Sequence, residues 1–215
     1  MSIHMPITKE KIKNHFQYSL WKYVVLIVAA ILFWNLLHTV TRYQTPGHLK
    51  MEFFAEGYQG EGQRQSAEQM MDTVYKSMMP HMEEVSYTLI TLDENYGAMQ
   101  LTVWASAGEG DVYLLEKENF FQMAQSGAML DLQPYVDAGI LRVEGLSLAD
   151  GMVRDMDSGE RFLYGIPADS LTGLKDMGLR TDGGFLSILQ LSENKQEAVA
   201  FLNYVLTHMG SAEIV

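Results

Sequence analysis

The sequence predicts an α/β protein in which one N-terminal transmembrane helix precedes a single lobe built on a parallel or mixed sheet. Three observations support this fold class. Residues 23–40 form an uncharged apolar run, strand-like and helical segments alternate from residue 49 onward, and the 215 residues are 47% apolar and 20% charged. This length and composition suit one folded body with an appendage and exclude a large multidomain enzyme.

The anchor is predicted from the run YVVLIVAAILFWNLLHTV, which lies between Lys22 and Arg42. As a helix it is about 27 Å long, close to the thickness of the hydrocarbon core of a bilayer. Four lysines and one glutamate precede it, so the positive-inside rule predicts a cytoplasmic tail at 1–22. We therefore expect a single-pass cell-membrane protein with a transmembrane helix at 23–41, a linker at 42–48 and an extracytoplasmic domain at 49–215.

Two other interpretations of the same run remain open at this point, a cleaved secretory signal and a buried helix of a soluble domain. The run is longer than the 7 to 15 residues usual for the apolar region of a signal, and no A-x-A pattern follows it. The lipid bilayer is thus the first partner that the sequence predicts.

Charge and cysteine content exclude several classes of function. The net charge is −12, but residues 41–215 hold 11 basic and 26 acidic residues, so the outer part is strongly acidic. An acidic body repels a phosphate backbone, and we expect no nucleic-acid partner. The absence of cysteine excludes disulfides, thiolate metal sites, iron–sulfur clusters and a lipidated cysteine.

The outer part alternates between β-rich runs and segments with helical apolar spacing. Strands are predicted at 49–55, 86–92, 110–115, 161–167 and 185–191, and helices at 66–79, 95–108, 118–129 and 194–209. Ser66 is a predicted helix cap, and Met99, Val103 and Ala107 are predicted on the inward face of their helix. In the last helix the predicted inward residues are Ala198, Phe201, Leu202 and Val205. Alternation of this kind is typical of a parallel sheet covered by helices.

Four local patterns resemble the extracellular solute-binding proteins of bacterial ABC importers, which have the type II periplasmic-binding-protein fold. The patterns are GDVYLL at 110–115, FFQMAQSGAMLDLQPYV at 120–136, YGIP at 164–167 and SENKQEAVAFLNYV at 192–205. The resemblance implies a transport-related, non-enzymatic module, with an ABC importer permease or another membrane protein as its partner. It also implies a small-molecule ligand such as a sugar.

The resemblance has one large departure. Members of that family place a second lobe between the YGIP strand and the C-terminal helix, whereas here that interval has about 25 residues. The sequence therefore predicts one lobe without its partner lobe. We expect association with a membrane protein, and the alternative is a true small-molecule receptor that completes its cleft with a partner lobe or a dimer.

Ligands of open parallel sheets bind beyond the carboxyl ends of the strands, so polar residues that follow predicted strands are candidates for a binding site. Carboxylates there can accept hydrogen bonds from hydroxyls, and a tyrosine ring can stack on a sugar or a cation. Such residues are also common as solvated loop residues and caps. The candidate residues are Glu56, Tyr58, Asp93, Asn95, Glu116 and Asp169.

Metal and catalytic motifs are weak. Met70, Met71, Met78, Met79, His81 and Met82 are close in sequence, as in a Cu(I) site, but the spacing of Met70, Val74 and Met78 favours a core stripe. The six histidines show no zinc spacing, and Ser106 lacks the first glycine of a nucleophile elbow. We expect no metal, no cofactor and no catalytic residue.

Overall fold

The computed structural model describes residues 9–43, 45–91, 97–154 and 159–210, with backbone only for 9–19 and 98. The chain divides into two compact units, Met1–Gln44 and Thr45–Val215. The first contains an apolar helix and the second contains the α/β domain.

Helix α1 (Lys9–Thr41) is 33 residues long. Its segment Leu20–Thr41 has a mean hydropathy of 2.1 and is the one helical segment among the described residues that is long and apolar enough to cross a membrane. This segment begins three residues before the predicted span. Its apolar side chains are all exposed, including Trp21 at 74% and Val40 at 75%.

The α/β domain is built on a five-stranded sheet with the order β2-β1-β3-β7-β6. Its strands are β1 (Lys50–Glu56), β2 (Glu84–Ile90), β3 (Val112–Glu116), β6 (Ile166–Pro167) and β7 (Gly184–Ile188). β2 and β3 run parallel to β1, whereas β7 is antiparallel to β3 and to β6. The predicted α/β lobe with a parallel or mixed sheet is therefore confirmed, and the sheet is mixed.

The predicted strand at 161–167 is wrong as a single element. Its first part is β5 (Arg161–Leu163), which forms a separate hairpin with β4 (Met152–Arg154), and its last part is β6. The chain passes between the two sheets at Gly165, where an added Cβ would lie 2.5 Å from the ring of Phe120. A side chain at this position would therefore collide with the core.

The helices of the domain are α2 (Glu61–Met78), α3 (Gly97–Ala107), α4 (Lys117–Gln125), α5 (Gln133–Asp137), α6 (Thr172–Asp176) and α7 (Lys195–His208). The predicted cap at Ser66 is wrong, because α2 begins five residues earlier. Gly60 donates its N–H to the Gln63 side chain at 3.0 Å, and the Ser66 hydroxyl donates to the Gly62 carbonyl inside the helix. The two glycines at 60 and 62 resemble a turn in sequence and conceal this start.

The predicted inward face of α3 is also wrong. Met99 and Val103 are 65% and 59% exposed, whereas Leu101 and Ala105 are buried. Helix α3 contains no charged residue and carries apolar side chains on both faces, so hydrophobic spacing alone cannot assign its orientation.

Two apolar clusters form the core, one on each face of the sheet. Side chains alternate along β1, so Phe53 packs on Phe201 of α7 with ring centroids 5.1 Å apart, while Phe54 packs on Tyr113 at 5.2 Å. The predicted inward residues of α7 are confirmed as buried: Ala198, Phe201, Leu202 and Val205. Met70 and Val74 are buried in the first cluster and Met78 packs against it, as the core interpretation predicts.

A buried polar network joins the amino ends of β1, β3 and α7. The Asp111 carboxylate accepts the N–H of Glu52 at 2.9 Å and the hydroxyl of Ser192 at 2.6 Å. The Asn194 side chain donates to the carbonyls of Lys50 at 2.6 Å and Gly47 at 2.8 Å. Burial raises the pKa of Asp111 above its ordinary value, although these hydrogen bonds oppose the shift. The SEN sequence at 192–194 thus fixes where the last helix begins.

Candidate functional site

The carboxyl ends of four strands lie at one edge of the sheet, and one of them is β2, which runs parallel to β1 and ends at Ile90 beside Glu56. β1 ends at Glu56 and β3 ends at Glu116. Because β7 is antiparallel to both β3 and β6, β7 begins at this edge and β6 ends there. In open α/β sheets, ligands bind outside the carboxyl ends of the strands. We call this surface the carboxyl edge, and it includes Glu56, Tyr58, Glu116, Asn119 and Arg180.

Glu56 is the buried centre of the carboxyl edge, with 3% of its surface exposed. Its carboxylate accepts the N–H of Glu116 at 2.9 Å and the side-chain amide of Asn119 at 2.8 Å. Its backbone carbonyl accepts the N–H of Arg180 at 2.9 Å. One residue therefore joins the end of β1 to the β3–α4 junction and to the segment that leads into β7.

The surroundings of Glu56 change its acidity. Burial raises the pKa of Glu56 from 4.5 to about 7, while the Asn119 hydrogen bond and the positive charge of Arg180 partly oppose this shift. At neutral pH, the carboxyl group therefore exists in both protonation states. It can accept hydrogen bonds in one state and donate one in the other.

The outer layer of the carboxyl edge consists of Arg180, Glu116 and Tyr58. The Arg180 guanidinium forms an ion pair with the Glu116 carboxylate and lies 4.8 Å from the centre of the Tyr58 ring. Tyr58 is 63% exposed. A surface with an aromatic ring, a guanidinium and a carboxylate can contact a polar partner through stacking, hydrogen bonds and charge.

Tyr58 is held in place by the loop that precedes Arg180. The Tyr58 N–H donates to the carbonyl of Gly178 at 2.9 Å. Gly178 has a φ of +78°, and an added Cβ would lie 2.5 Å from the carbonyl oxygen of Tyr58. Only glycine permits both the backbone conformation and this close approach.

Of the six sequence-predicted site residues, the structure brings Glu56, Tyr58 and Glu116 together in this cluster. Asp169 follows β6 at the same edge and accepts the N–H of Gly183 at 2.8 Å, so its contact is that of a loop cap. Asp93 and Asn95 lie outside the described residues.

Sequence reasoning missed two members of the cluster, Asn119 and Arg180. Asn119 is in the first turn of α4, which begins directly after β3, so it lies near the carboxyl end of that strand. Arg180 lies four residues before β7, and only the antiparallel direction of β7 brings that segment to this edge. A sequence that predicts the strand but not its direction cannot place Arg180.

The comparisons with known proteins give a partial likeness. No protein-family model matches the chain, and no curated protein matches it. Solved structures that it resembles include an extracellular solute-binding protein family 1 member from Alicyclobacillus acidocaldarius, with 17% identity and a TM-score of 0.43 over 59% of this chain and 29% of that one. The galacto-N-biose/lacto-N-biose I-binding protein of the Bifidobacterium longum ABC transporter matches with 16% identity and a TM-score of 0.43, over 59% of this chain and 30% of that one. An ABC substrate-binding protein from Listeria monocytogenes, solved with cycloalternan, matches with 18% identity and a TM-score of 0.39, over 54% of this chain and 28% of that one.

These neighbours are of the class that the sequence motifs resemble, the extracellular solute-binding proteins. The matched region spans under a third of the length of each of the three. Because the identities are below 25% and the TM-scores are below 0.5, these matches do not assign a ligand, a partner or a role to this chain.

The substitution Glu56→Gln tests the buried carboxyl group. Because the folded state raises the pKa of Glu56 from 4.5 to about 7, folding binds a proton more tightly, and stability falls as the pH rises between these values. The glutamine variant has no titrating group at this position and does not lose this stability. The difference between its free energy of unfolding and that of the wild type should therefore increase in favour of the variant by about 2 to 3 kcal/mol from pH 4.5 to pH 7. Urea unfolding of the full chain in detergent at several pH values measures this difference. The control Glu118→Gln, at an exposed position, should show the same pH dependence of stability as the wild type. A difference between Glu56→Gln and the wild type that does not change with pH would contradict the raised pKa of Glu56.

Proposed function

We propose that this chain is a single-pass membrane protein whose extracytoplasmic, solute-binding-like domain uses its carboxyl edge to associate with another membrane protein. An ABC importer permease is the first such partner to test. The observation that carries the anchoring is the segment Leu20–Thr41, which has a mean hydropathy of 2.1 and no buried residue in its most apolar window.

The energetics of that segment favour a bilayer. Each large apolar side chain left in water forgoes roughly 1.5 to 3 kcal/mol relative to burial, and this segment exposes more than ten of them. A segment of 22 helical residues is about 33 Å long, enough to cross the hydrocarbon core. The lysines that precede it favour a cytoplasmic N-terminus, and the domain that begins at Thr45 is then outside.

The exposed groups of the carboxyl edge support an interface with a protein. Residues 168–183, between β6 and β7, contain only α6 and loops, so no second lobe is inserted there. Tyr58, Arg180 and Glu116 thus remain at the surface in the described structure, and Tyr and Arg are the residue types most enriched in the energetic centres of protein interfaces. Glu56, buried beneath them, holds the backbone that presents them.

Single-cysteine labelling tests the proposed topology, because the chain has no native cysteine. In intact cells, a membrane-impermeant maleimide should label Glu144→Cys in the domain and should label Ser2→Cys in the tail only after permeabilisation. The reverse pattern would contradict the orientation. A mature protein from which residue 2 is missing would show a cleaved segment and no anchor.

The exposed ring of Tyr58 favours a second candidate function, that of a small-molecule receptor. A tyrosine face beside a guanidinium and a carboxylate suits a hydroxylated ligand such as an oligosaccharide. Association with a protein predicts no thermal stabilisation of the full chain in detergent by neutral oligosaccharides. A ligand at 100 times its dissociation constant would add about 2.7 kcal/mol. Stabilisation that is lost in Tyr58→Ala would replace the protein-interface proposal with the receptor.

A further inference from the structure

Strand β2 forms an open side edge of the sheet. Within the described residues it pairs only with β1, in parallel, along all seven of its residues. It is therefore about 23 Å long, and the backbone groups on its outer side have no strand partner. Extended segments of other proteins bind edges of this type by strand addition, with hydrogen bonds from the main chain and specificity from alternate side chains.

A groove of about 470 Å³ lies between this edge and helix α2. Met71 and Tyr75 of α2 and Val85 and Tyr87 of β2 supply its apolar side chains. Val85 and Tyr87 are half-buried and pack against the core cluster that contains Met71. They lie two residues apart on one face of the strand, so an added strand would place its own alternate side chains next to them.

The groove has an acidic lining. Glu68 and Asp72 of α2 and Glu83 and Glu84 near the start of β2 line it, and the described lining includes no lysine or arginine. Glu68 and Asp72 form exposed i,i+4 pairs with Arg64 and Lys76, and such pairs contribute little and remain open to exchange with other cations. The surface therefore favours a cationic occupant.

The same charges disfavour a second copy of this chain as the occupant. Pairing two β2 edges would bring eight carboxylates together around one new strand pair, and like charges across strands are destabilising. A segment that alternates lysine or arginine with small or β-branched residues instead matches the acidic lining, the apolar floor and the free strand edge at once.

We propose that the β2 edge and the α2–β2 groove form a docking site for an extended, lysine- or arginine-bearing segment of a partner protein. This site is on the side edge of the sheet and involves none of the residues of the carboxyl edge. It therefore does not depend on the proposed function. The competing explanation is that the acids only prevent edge-to-edge association, as charges do on many exposed edge strands.

A binding titration separates the two explanations. The probe is a fluorescent ten-residue peptide in which lysine alternates with threonine and valine, and its counterpart has glutamate in place of lysine. The full chain is used in a zwitterionic detergent. We expect the lysine peptide to bind and the glutamate peptide not to bind. Binding should weaken at least tenfold in Glu68→Lys/Asp72→Lys, less in the neutral variant Glu68→Gln/Asp72→Asn, and less than twofold in the control Glu118→Lys/Glu144→Lys.

Hydrogen exchange locates the bound peptide. Strand addition should slow the exchange of amides within residues 84–90, whereas adsorption to an acidic surface should leave them unchanged. The proposal is overturned if the lysine peptide does not bind, if the control variant weakens binding as much as the groove variant, or if β2 gains no protection. The neutral variant adds no positive charge to α2. It therefore still reports whether the acidic side chains contribute to binding if the lysine variant misfolds.

Discussion

The hydrogen bonds of Glu56 hold the carboxyl edge together. β1 is paired on both sides and covered on both faces, so the polar groups that follow it must be satisfied locally. The carboxylate of Glu56 accepts the backbone N–H of Glu116 and the side-chain amide of Asn119 at the β3–α4 junction, and its carbonyl accepts the N–H of Arg180 in the segment that leads to β7. Arg180 and Glu116 owe their common position to these contacts, and the carbonyl of Gly178 holds Tyr58 beside them. A residue that looks like a simple strand end in sequence thus determines the surface on which the proposed function depends.

The two ends of the central strands have different roles. At the amino ends, Asp111, Ser192 and Asn194 form a closed network in which side chains bond to one another and to backbone groups of the same domain. At the carboxyl ends, the charged and aromatic groups above Glu56 are exposed and can make further contacts. Burial raises the pKa of both Glu56 and Asp111, and Glu56 lies beneath an exposed tyrosine and an exposed ion pair. The proposed interface is therefore at the carboxyl edge.

The sequence predicted the parts of the fold that one-sided patterns define. Helix α7 alternates apolar and polar residues at helical spacing, and all four residues predicted to face inward are buried. The inward face of α3 was not predictable, because both of its faces are apolar. Glu56 and Glu116 are the last residues of their strands and Tyr58 lies just beyond one, so the rule for strand ends could select these three members of the cluster. Arg180 was not selected, because its position depends on the antiparallel direction of β7, which local sequence does not encode.

Covalent footprinting can show whether a membrane partner covers the carboxyl edge in the cell. Carbodiimide-driven modification of Glu116 with an amine is compared between native membranes and the purified chain in detergent, with exposed Glu144 as the internal reference. If a partner covers this edge, Glu116 should be modified several-fold less in membranes than after purification, while Glu144 should be modified equally in both. Equal modification of Glu116 in the two preparations would contradict the proposed interface.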